Sequence, residues 1–499
     1  MGEKENKQKN KTERGLFIDE NETIPTPNWC VLPWIHLTSS VAGWYRPCCD
    51  SNKNIKDYSM ANDPKDILHT SVIGIEDTFY GPDMNKIRSQ FLNNERPKIC
   101  SACWKKEDSG ISSLRVAMNS RFKDLIDKID VTKPKLKYLD IKYDSTCNLA
   151  CRMCSTGSSD QHQKEILSYV KDGQQIPDHF SYATPELLNK DTYKRQYVKR
   201  LNKSNEKPFL EQDVINAIPE LEVLKATGGE PTINKKFLNA VDYAIEHDYA
   251  KNIELDLTTN GTKFTNEVLE KISQFKQLRL RISVDGTKDV YEYIRYPFSW
   301  NLLNKSITNL FEFCQNNNLF FLGQENEIPP KALIGFSIVA QPYNIFNLGE
   351  IYRWASNFYE KYCGFINPEL IDICIDIQMI PEQSELNPLF LPKSMLKKAY
   401  KKFVKDVKGI PGIEPRIEYF NNFVENVDSN LPIRDLKHKE LKKFTEFFDK
   451  NRKQDYHNHL DPEMIAYLDN APVAPWEKEN NGFCILPWIH LSTRTTGNM

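Results

Sequence analysis

Twelve cysteines punctuate this 499-residue chain, and their spacing is the first feature that could do chemistry. Cys147, Cys151 and Cys154 lie together in DSTCNLACRMCS, in the pattern C-x3-C-x2-C. Thiolates this close converge on one inorganic centre, or else repel one another and stay protonated. A structural zinc site takes four protein ligands, and no fourth Cys or His completes this group at a usual spacing. A cubane iron–sulfur cluster held by three thiolates would leave one iron open to a further ligand. The competing readings are a zinc knuckle and a set of packed thiols. Cys30, Cys48, Cys49, Cys100 and Cys103 form a second constellation, while Cys314, Cys363 and Cys374 stand singly among apolar residues and read as core thiols.

Further motifs follow the first group in a definite order. ATGGEPT carries Gly228, Gly229, Glu230 and Pro231, TTNGT carries Asn260, RISVDGT carries Ser283 and Asp285, and YEYIRYP carries Arg295. Glycines allow close backbone approach, and a carboxylate suits an ammonium group. CNLACRMC, with the apolar Met153 before its last cysteine, resembles the signature of the radical S-adenosylmethionine (SAM) enzymes. The resemblance covers about residues 136–385. It implies a [4Fe–4S] cluster on Cys147, Cys151 and Cys154, whose open iron chelates SAM. Reductive cleavage of SAM would then give a 5′-deoxyadenosyl radical that abstracts hydrogen from a substrate, with the protein supplying ligation, orientation and exclusion of water. It further implies that Gly228–Pro231 meets the SAM amino group, with the Glu230 carboxylate among the contacts. Ser283 would contact ribose or carboxylate, and Arg295 would pair with the SAM carboxylate. Asp285 would order its loop or touch ribose. For Asn260 and Asp285 a plain N-G or D-G turn is the competing reading.

Twelve residues separate Cys30 from Gly43, four separate Gly43 from Cys48, and Cys100-Ser-Ala-Cys103 adds a C-x2-C. This resembles the opening of the auxiliary-cluster modules called SPASM and, in the shorter form, twitch; the order here resembles radical SAM proteins with an N-terminal twitch domain. The resemblance implies a second [4Fe–4S] cluster saturated by Cys30, Cys48, Cys100 and Cys103, with Cys49 as the alternative to Cys48. A zinc ribbon is the other reading of such a set. Trp34, Trp44 and Trp104 read as residues that shield the cluster, and His36 as a packed or hydrogen-bonded histidine.

Elements must bring these groups together. Six short β-rich runs, LKYLDIKYD, LEVLKAT, NIELDLTTN, LRLRISVDG, ALIGFSIVAQ and IDICIDIQMI, alternate with helix-length polar segments from residue 136 onward. That alternation predicts an α/β fold with a parallel sheet, a partial TIM-like (β/α)6 barrel with its motifs at the strand C-terminal ends. The expected organisation is a disordered tail at 1–22, a small N-terminal cysteine-rich twitch-like module at 23–135, the radical SAM core at 136–385, a helical extension at 386–470, and a linker with the start of a second module at 471–499. The lysines of SMLKKAYKKFVKDV and DLKHKELKKFTEFFDKNR read as solvated helix faces.

Composition is that of an ordinary globular protein, with 40% hydrophobic and 27% charged residues and a net charge of −2. Neither a nucleic-acid field nor a membrane-spanning run is expected, and the polar first 14 residues do not form a signal peptide, so a cytoplasmic location is expected. The leading function is a radical SAM enzyme acting on a peptide or protein, supplied with electrons by a flavodoxin- or ferredoxin-like reductant. Oxidation or rearrangement of a carbohydrate- or nucleotide-derived molecule is the alternative, and a non-catalytic Fe–S or zinc scaffold or sensor is the rival from another class. One oddity stands apart: WCVLPWIHL at 29–37 returns as FCILPWIHL at 483–491, with twelve residues again separating Cys484 from Gly497. It reads as the beginning of another twitch-like module in a chain that is a fragment of a longer one; a natural stop that leaves a vestigial tail packing Trp488 on the surface is the other reading.

Overall fold

The structure, a computed structural model, describes residues 25–40, 43–51, 73–110, 112–174, 176, 208–320, 331–363, 375–379, 384–428 and 433–472. The tail, Cys374 and the second copy of the repeated phrase lie outside the described residues. The first copy is packed inward almost throughout. Trp29 packs at a tilt against Trp34 with ring centroids 5.1 Å apart, and the Trp34 indole donates to the Val131 carbonyl at 2.9 Å. After the short helix Leu32–Ile35 the phrase runs directly into strand β1 (His36–Ser39), which pairs antiparallel with β2 (Tyr45–Arg46).

The six predicted strands are all present: β3 (Tyr138–Ile141), β4 (Val223–Ala226), β5 (Glu254–Thr259), β6 (Gln277–Ser283), β7 (Ala332–Ala340) and β8 (Ile375–Met379). They pair in parallel in sequence order, with helices between them. The sheet does not stop at β3. Strand β1 adds to it in parallel, with Leu37 opposite Leu139, so the order is β2-β1-β3-β4-β5-β6-β7-β8. The N-terminal segment therefore shares a sheet with the core, where sequence reading had it as a module of its own. Backbone bonds from Lys135 and Lys137 to the Trp34 and Ile35 carbonyls and the packing of His36 on Tyr138 hold it there.

The crossover helices show why the chain folds this way. Lys235–Glu246 starts on Asn234, whose side chain accepts from the Lys236 and Phe237 amides, and it buries Phe237, Ala240, Val241 and Ala244 along one stripe. Burial of a residue the size of Phe237 contributes about 1.5–3 kcal/mol. On β6, Leu278, Leu280 and Ile282 are buried while Gln277, Arg279, Arg281 and Ser283 alternate with them. In register across the sheet lie Asp140, Lys225, Asp256 and Arg279. Lys225 pairs with Asp140 at 3.3 Å, and Glu254 bridges Arg121 and Arg279 at 2.7 and 2.8 Å. Parallel sheets covered by helices on both faces are apolar on both, so this charged row marks a face that the crossover helices do not cover.

Beyond β8 the chain forms helices Lys393–Asp406, Glu414–Asn426, Arg434–Arg452 and Pro462–Asp469. The first packs so closely on helix Leu348–Cys363 that a Cβ at Gly349 would stand 2.6 Å from the Asp406 Cβ. Some of the lysines expected to be solvated are ion-paired at the surface: Lys402 with Glu350 and Asp406, Lys398 with Glu463 and Lys397 with Glu425. Among the described residues no helix is long and apolar enough to cross a membrane.

Candidate active site

The loop after β3 carries the three cysteines. Backbone and side-chain bonds hold it from several sides. The Cys147 amide donates to Asp160 at 2.8 Å, and the Cys154 amide to the Cys151 carbonyl at 3.0 Å. Ala150 and Arg152, either side of Cys151, donate their amides to the carbonyls of Tyr296 and Ile294 at 2.7 and 2.9 Å. Arg295 is thereby seated beside the loop, and its charge lies within electrostatic reach of all three thiols. Burial pushes Cys147 up to about 12. A hydrogen bond from the Cys154 thiol lowers Cys151, and the same bond, with burial, raises Cys154. Met153 packs half-buried against the core.

The Gly228–Pro231 turn lies against the approach to Cys147. Gly228 and Gly229 have φ of 79° and 59°, and a Cβ on Gly229 would drive into the Thr146 carbonyl oxygen. The Glu230 amide donates to that same carbonyl at 2.7 Å. Its carboxylate is fully buried and accepts from protein donors. One oxygen accepts from the Thr232 amide at 3.0 Å and from the Thr232 and Thr259 hydroxyls at 2.6 Å each; the other accepts from the Asn260 amide at 2.6 Å. Burial raises its pKa, and these four donors oppose the rise. Glu230 thus latches the glycine turn to the end of β5.

Asn260 is more than a turn residue. Its amide nitrogen donates to Asn148 Oδ1 at 2.8 Å and lies 3.9 Å from the Cys147 sulfur, while its oxygen accepts from the Thr262 amide and hydroxyl. Asp285 and Arg295 form a fully buried forked pair at 2.7 and 2.6 Å, and the second Asp285 oxygen accepts from the Val339 amide at 2.7 Å. Arg295 therefore offers a ligand only what Asp285 leaves of its guanidinium. Asp285 is a loop-ordering residue, with Asn344 also donating to its carbonyl at 2.9 Å. Burial raises the Asp285 pKa and Arg295 pulls it back. Ser283 ends β6, half-buried, opposite Ser337.

The second constellation also assembles. Cys30, Cys48, Cys100 and Cys103 lie within electrostatic reach of one another, and burial raises all four thiols, Cys30 to about 12. Cys30 accepts from the Leu32 amide, and Cys103 is hydrogen-bonded to Ser113 and the Arg115 backbone. Cys49 is exposed and has Lys225, Asp140 and Asp50 as its charged neighbours instead. Among the described residues, no three His, Cys, Asp or Glu side chains are gathered tightly enough to hold a single metal ion. Behind the thiols, Arg115 and Glu107 form a buried pair at 2.8 Å, and Arg115 also donates to the Trp29 carbonyl at 2.8 Å. His36 is buried, contacts the Pro47 carbonyl at 2.9 Å, and burial lowers it to about 4. Cys314 is buried as expected, with Cys363 near it.

Sequence reasoning missed Arg152, Asn148, Asp160, Asp449 and Arg452. A charged residue inside an otherwise apolar cysteine loop was the one signal available for Arg152.

Parallel strands with cysteines, polar turns and a buried ion pair at their C-terminal ends define an α/β barrel-type protein with its site at the strand ends. Residues 144–327 match the family model described as the Radical SAM superfamily, so the chain carries a radical SAM domain over that segment. The family implies a [4Fe–4S] cluster and SAM. Mycofactocin maturase MftC of Mycobacterium tuberculosis is 30% identical over 102 residues, covering 20% of this chain and 25% of the relative. The protein of that name from Mycolicibacterium smegmatis is 29% identical over the same span, with the same coverage. The chain thus spans about a quarter of the length of the curated relatives it matches. A solved structure, "Native anSMEcpe with bound AdoMet and Cp18Cys peptide", aligns over 58% of this chain and 61% of its own, at 15% identity and a TM-score of 0.30.

Proposed function

We propose that the chain is a radical SAM enzyme that modifies a peptide or protein, with one cluster at Cys147, Cys151 and Cys154 and an auxiliary cluster at Cys30, Cys48, Cys100 and Cys103. The observation that carries the reading is the first cysteine loop, held between Arg295, Asn260 and the Gly228–Pro231 turn. When bound, the cluster and SAM supply reductive cleavage of SAM and a hydrogen-abstracting radical. The chain's own residues do the rest. Arg295 offsets the negative charge that three thiolates gather in a buried site, and Asp285 fixes where that guanidinium stands. Gly228 and Gly229 allow backbone to approach the site, while Glu230 keeps their turn rigid. Asn260 steadies the Cys147 sulfur. At the second set, Cys48 serves in place of Cys49, since its thiol is the one in the company of Cys30, Cys100 and Cys103. The peptide or protein substrate rests on the relatives named as maturases.

Anaerobic reconstitution tests this directly. About eight irons and eight sulfides per chain are expected, and SAM with reductant should yield 5′-deoxyadenosine. Alanine at Cys147, Cys151 or Cys154 should abolish cleavage, while Cys100→Ala should spare it and damage only the auxiliary cluster. One firmly bound zinc with no iron, or cleavage that persists without Cys151, would overturn the reading. Deuterium passing from a labelled small molecule, and from no peptide, into 5′-deoxyadenosine would overturn the substrate class alone.

A further inference from the structure

The helical extension reaches back to the cysteine loop across some 300 residues of sequence. Arg152 stands between Cys151 and Cys154 and is fully buried. An interior guanidinium is costly unless it is paired, and this one is held from the C-terminal end of the chain. It donates through Nη2 to Asp449 at 2.5 Å and to Gln454 at 3.0 Å, and through Nε to the Tyr293 carbonyl at 2.9 Å, lying 3.7 Å over the Tyr293 ring. The other Asp449 oxygen accepts from the Tyr456 amide at 2.8 Å, which fixes the carboxylate in turn. One helical turn from Asp449, Arg452 donates to the Ala150 carbonyl at 2.6 Å and forms a fork with Glu165, both bonds at 2.7 Å. Its guanidinium lies over the Phe448 ring at 4.4 Å.

Ala150 and Arg152 are the immediate neighbours of Cys151. Their amides, and Arg152 Nε, are bound on one side by the backbone around Arg295, while Arg152 Nη2 and the Ala150 carbonyl are bound on the other by this helix end. Cys151 is thus clasped between two segments far apart in sequence. Arg452 also lies within electrostatic reach of the Cys151 sulfur. A helix that merely covered the core would bury apolar residues alone there; this one also buries the Arg152–Asp449 pair and the Arg452–Glu165 fork, with Arg152 belonging to the loop and Arg452 bonded to it.

We propose that Asp449, Arg452 and Gln454 are positioning residues for the first cluster, through which the C-terminal extension sets the placement of Cys151 and hence the geometry at which SAM is bound. The inference rests on the cluster assignment above. Groups that orient metal ligands without touching the metal typically change affinity or activity about 10–100-fold when removed.

The test uses the full chain, reconstituted anaerobically, with Asp449→Asn and Arg452→Lys. The first removes a charge with little change of shape, and the second keeps the charge but loses the fork. Expected is a loss of about 10–100-fold in kcat for 5′-deoxyadenosine formation or in kcat/KM for SAM. The SAM-induced change in the EPR spectrum of the reduced first cluster should be altered, and the iron and spectrum of the auxiliary cluster retained. Rates and SAM-dependent spectra within about twofold of the parent in both variants would overturn the proposal. So would joint loss of both clusters with a matching fall in Tm, which is what a general packing role gives. If Asp449→Asn fails to fold, Arg452→Lys carries the test. A parent chain that shows no SAM-responsive cluster would instead refute the cluster assignment itself.

Discussion

Glu230→Gln separates two jobs that a carboxylate in this turn could have. In the structure its oxygens face two backbone amides, of Thr232 and Asn260, on opposite sides of the carboxylate. A glutamine must present its NH2 to one of them, whichever way the amide is turned. One charge-assisted bond, about 1.5–3 kcal/mol, is then lost, and a buried N–H left facing another donor adds about 1–3 kcal/mol. Relief from burying a carboxylate, which raises the Glu230 pKa, offsets part of this. The net loss is about 2–4 kcal/mol, or roughly 5–12 °C in the unfolding midpoint of a core of this size. Urea unfolding followed by circular dichroism reads the stability, and calorimetry on the reconstituted protein reads SAM affinity. A latch predicts loss of stability, with slower amide exchange lost around 227–232 and 258–262. If stability changes by less than about 0.5 kcal/mol while SAM binding collapses, the carboxylate contacts the ligand and the latch argument is wrong.

Three further outcomes are expected. His36 has a folded pKa of about 4 against an ordinary 6.5, because burial disfavours its charged form; its contribution is complete above pH 6.5 and is lost as pH falls toward 4. About 3 kcal/mol should disappear over that window, and His36→Gln should flatten the dependence in pH-resolved urea titrations. Glu107→Ala leaves the Arg115 guanidinium buried and uncompensated, so a loss of about 3–5 kcal/mol is expected, with the first break in proteolysis falling within residues 25–121. Cys48→Ser should remove the auxiliary-cluster signal and Cys49→Ser should leave it, as measured by iron content and EPR; the reverse order would reassign the ligand.

The strands were readable because each one is a short apolar run between polar segments, and the parallel order follows from the helices that separate them. The place of β1 was not readable. His36-Leu37-Thr38-Ser39 has only one strongly apolar residue, so period-2 patterning gives no strand signal there. What recruits it is shape and hydrogen bonding around it. The Lys135 and Lys137 amides donate to the Trp34 and Ile35 carbonyls, and the His36 ring packs edge-on to Tyr138 at 4.4 Å. Such contacts join residues a hundred positions apart and leave no local trace.

The site divides along the same line. Cysteine spacing and glycine turns are local, because ligation and positive φ are demands on neighbouring residues, and those were read from the chain. The partners of each group are remote. Glu230 reads as a ligand contact when only GGEP is seen, yet Thr259 and Asn260, some thirty residues on, take up its oxygens. Arg295 reads as free to pair with a carboxylate until Asp285 is found across from it. The helix 434–452 shows a lysine-rich pattern whose periodicity speaks only of an apolar stripe. Asp449 and Arg452 sit at its end, where a solvated charge and a buried one look alike in sequence. They differ only in what lies opposite, and what lies opposite is the loop bearing Cys151. A motif therefore identifies the groups that meet a cofactor more reliably than it identifies those that hold such groups still, since the second set is chosen by the fold and not by the chemistry.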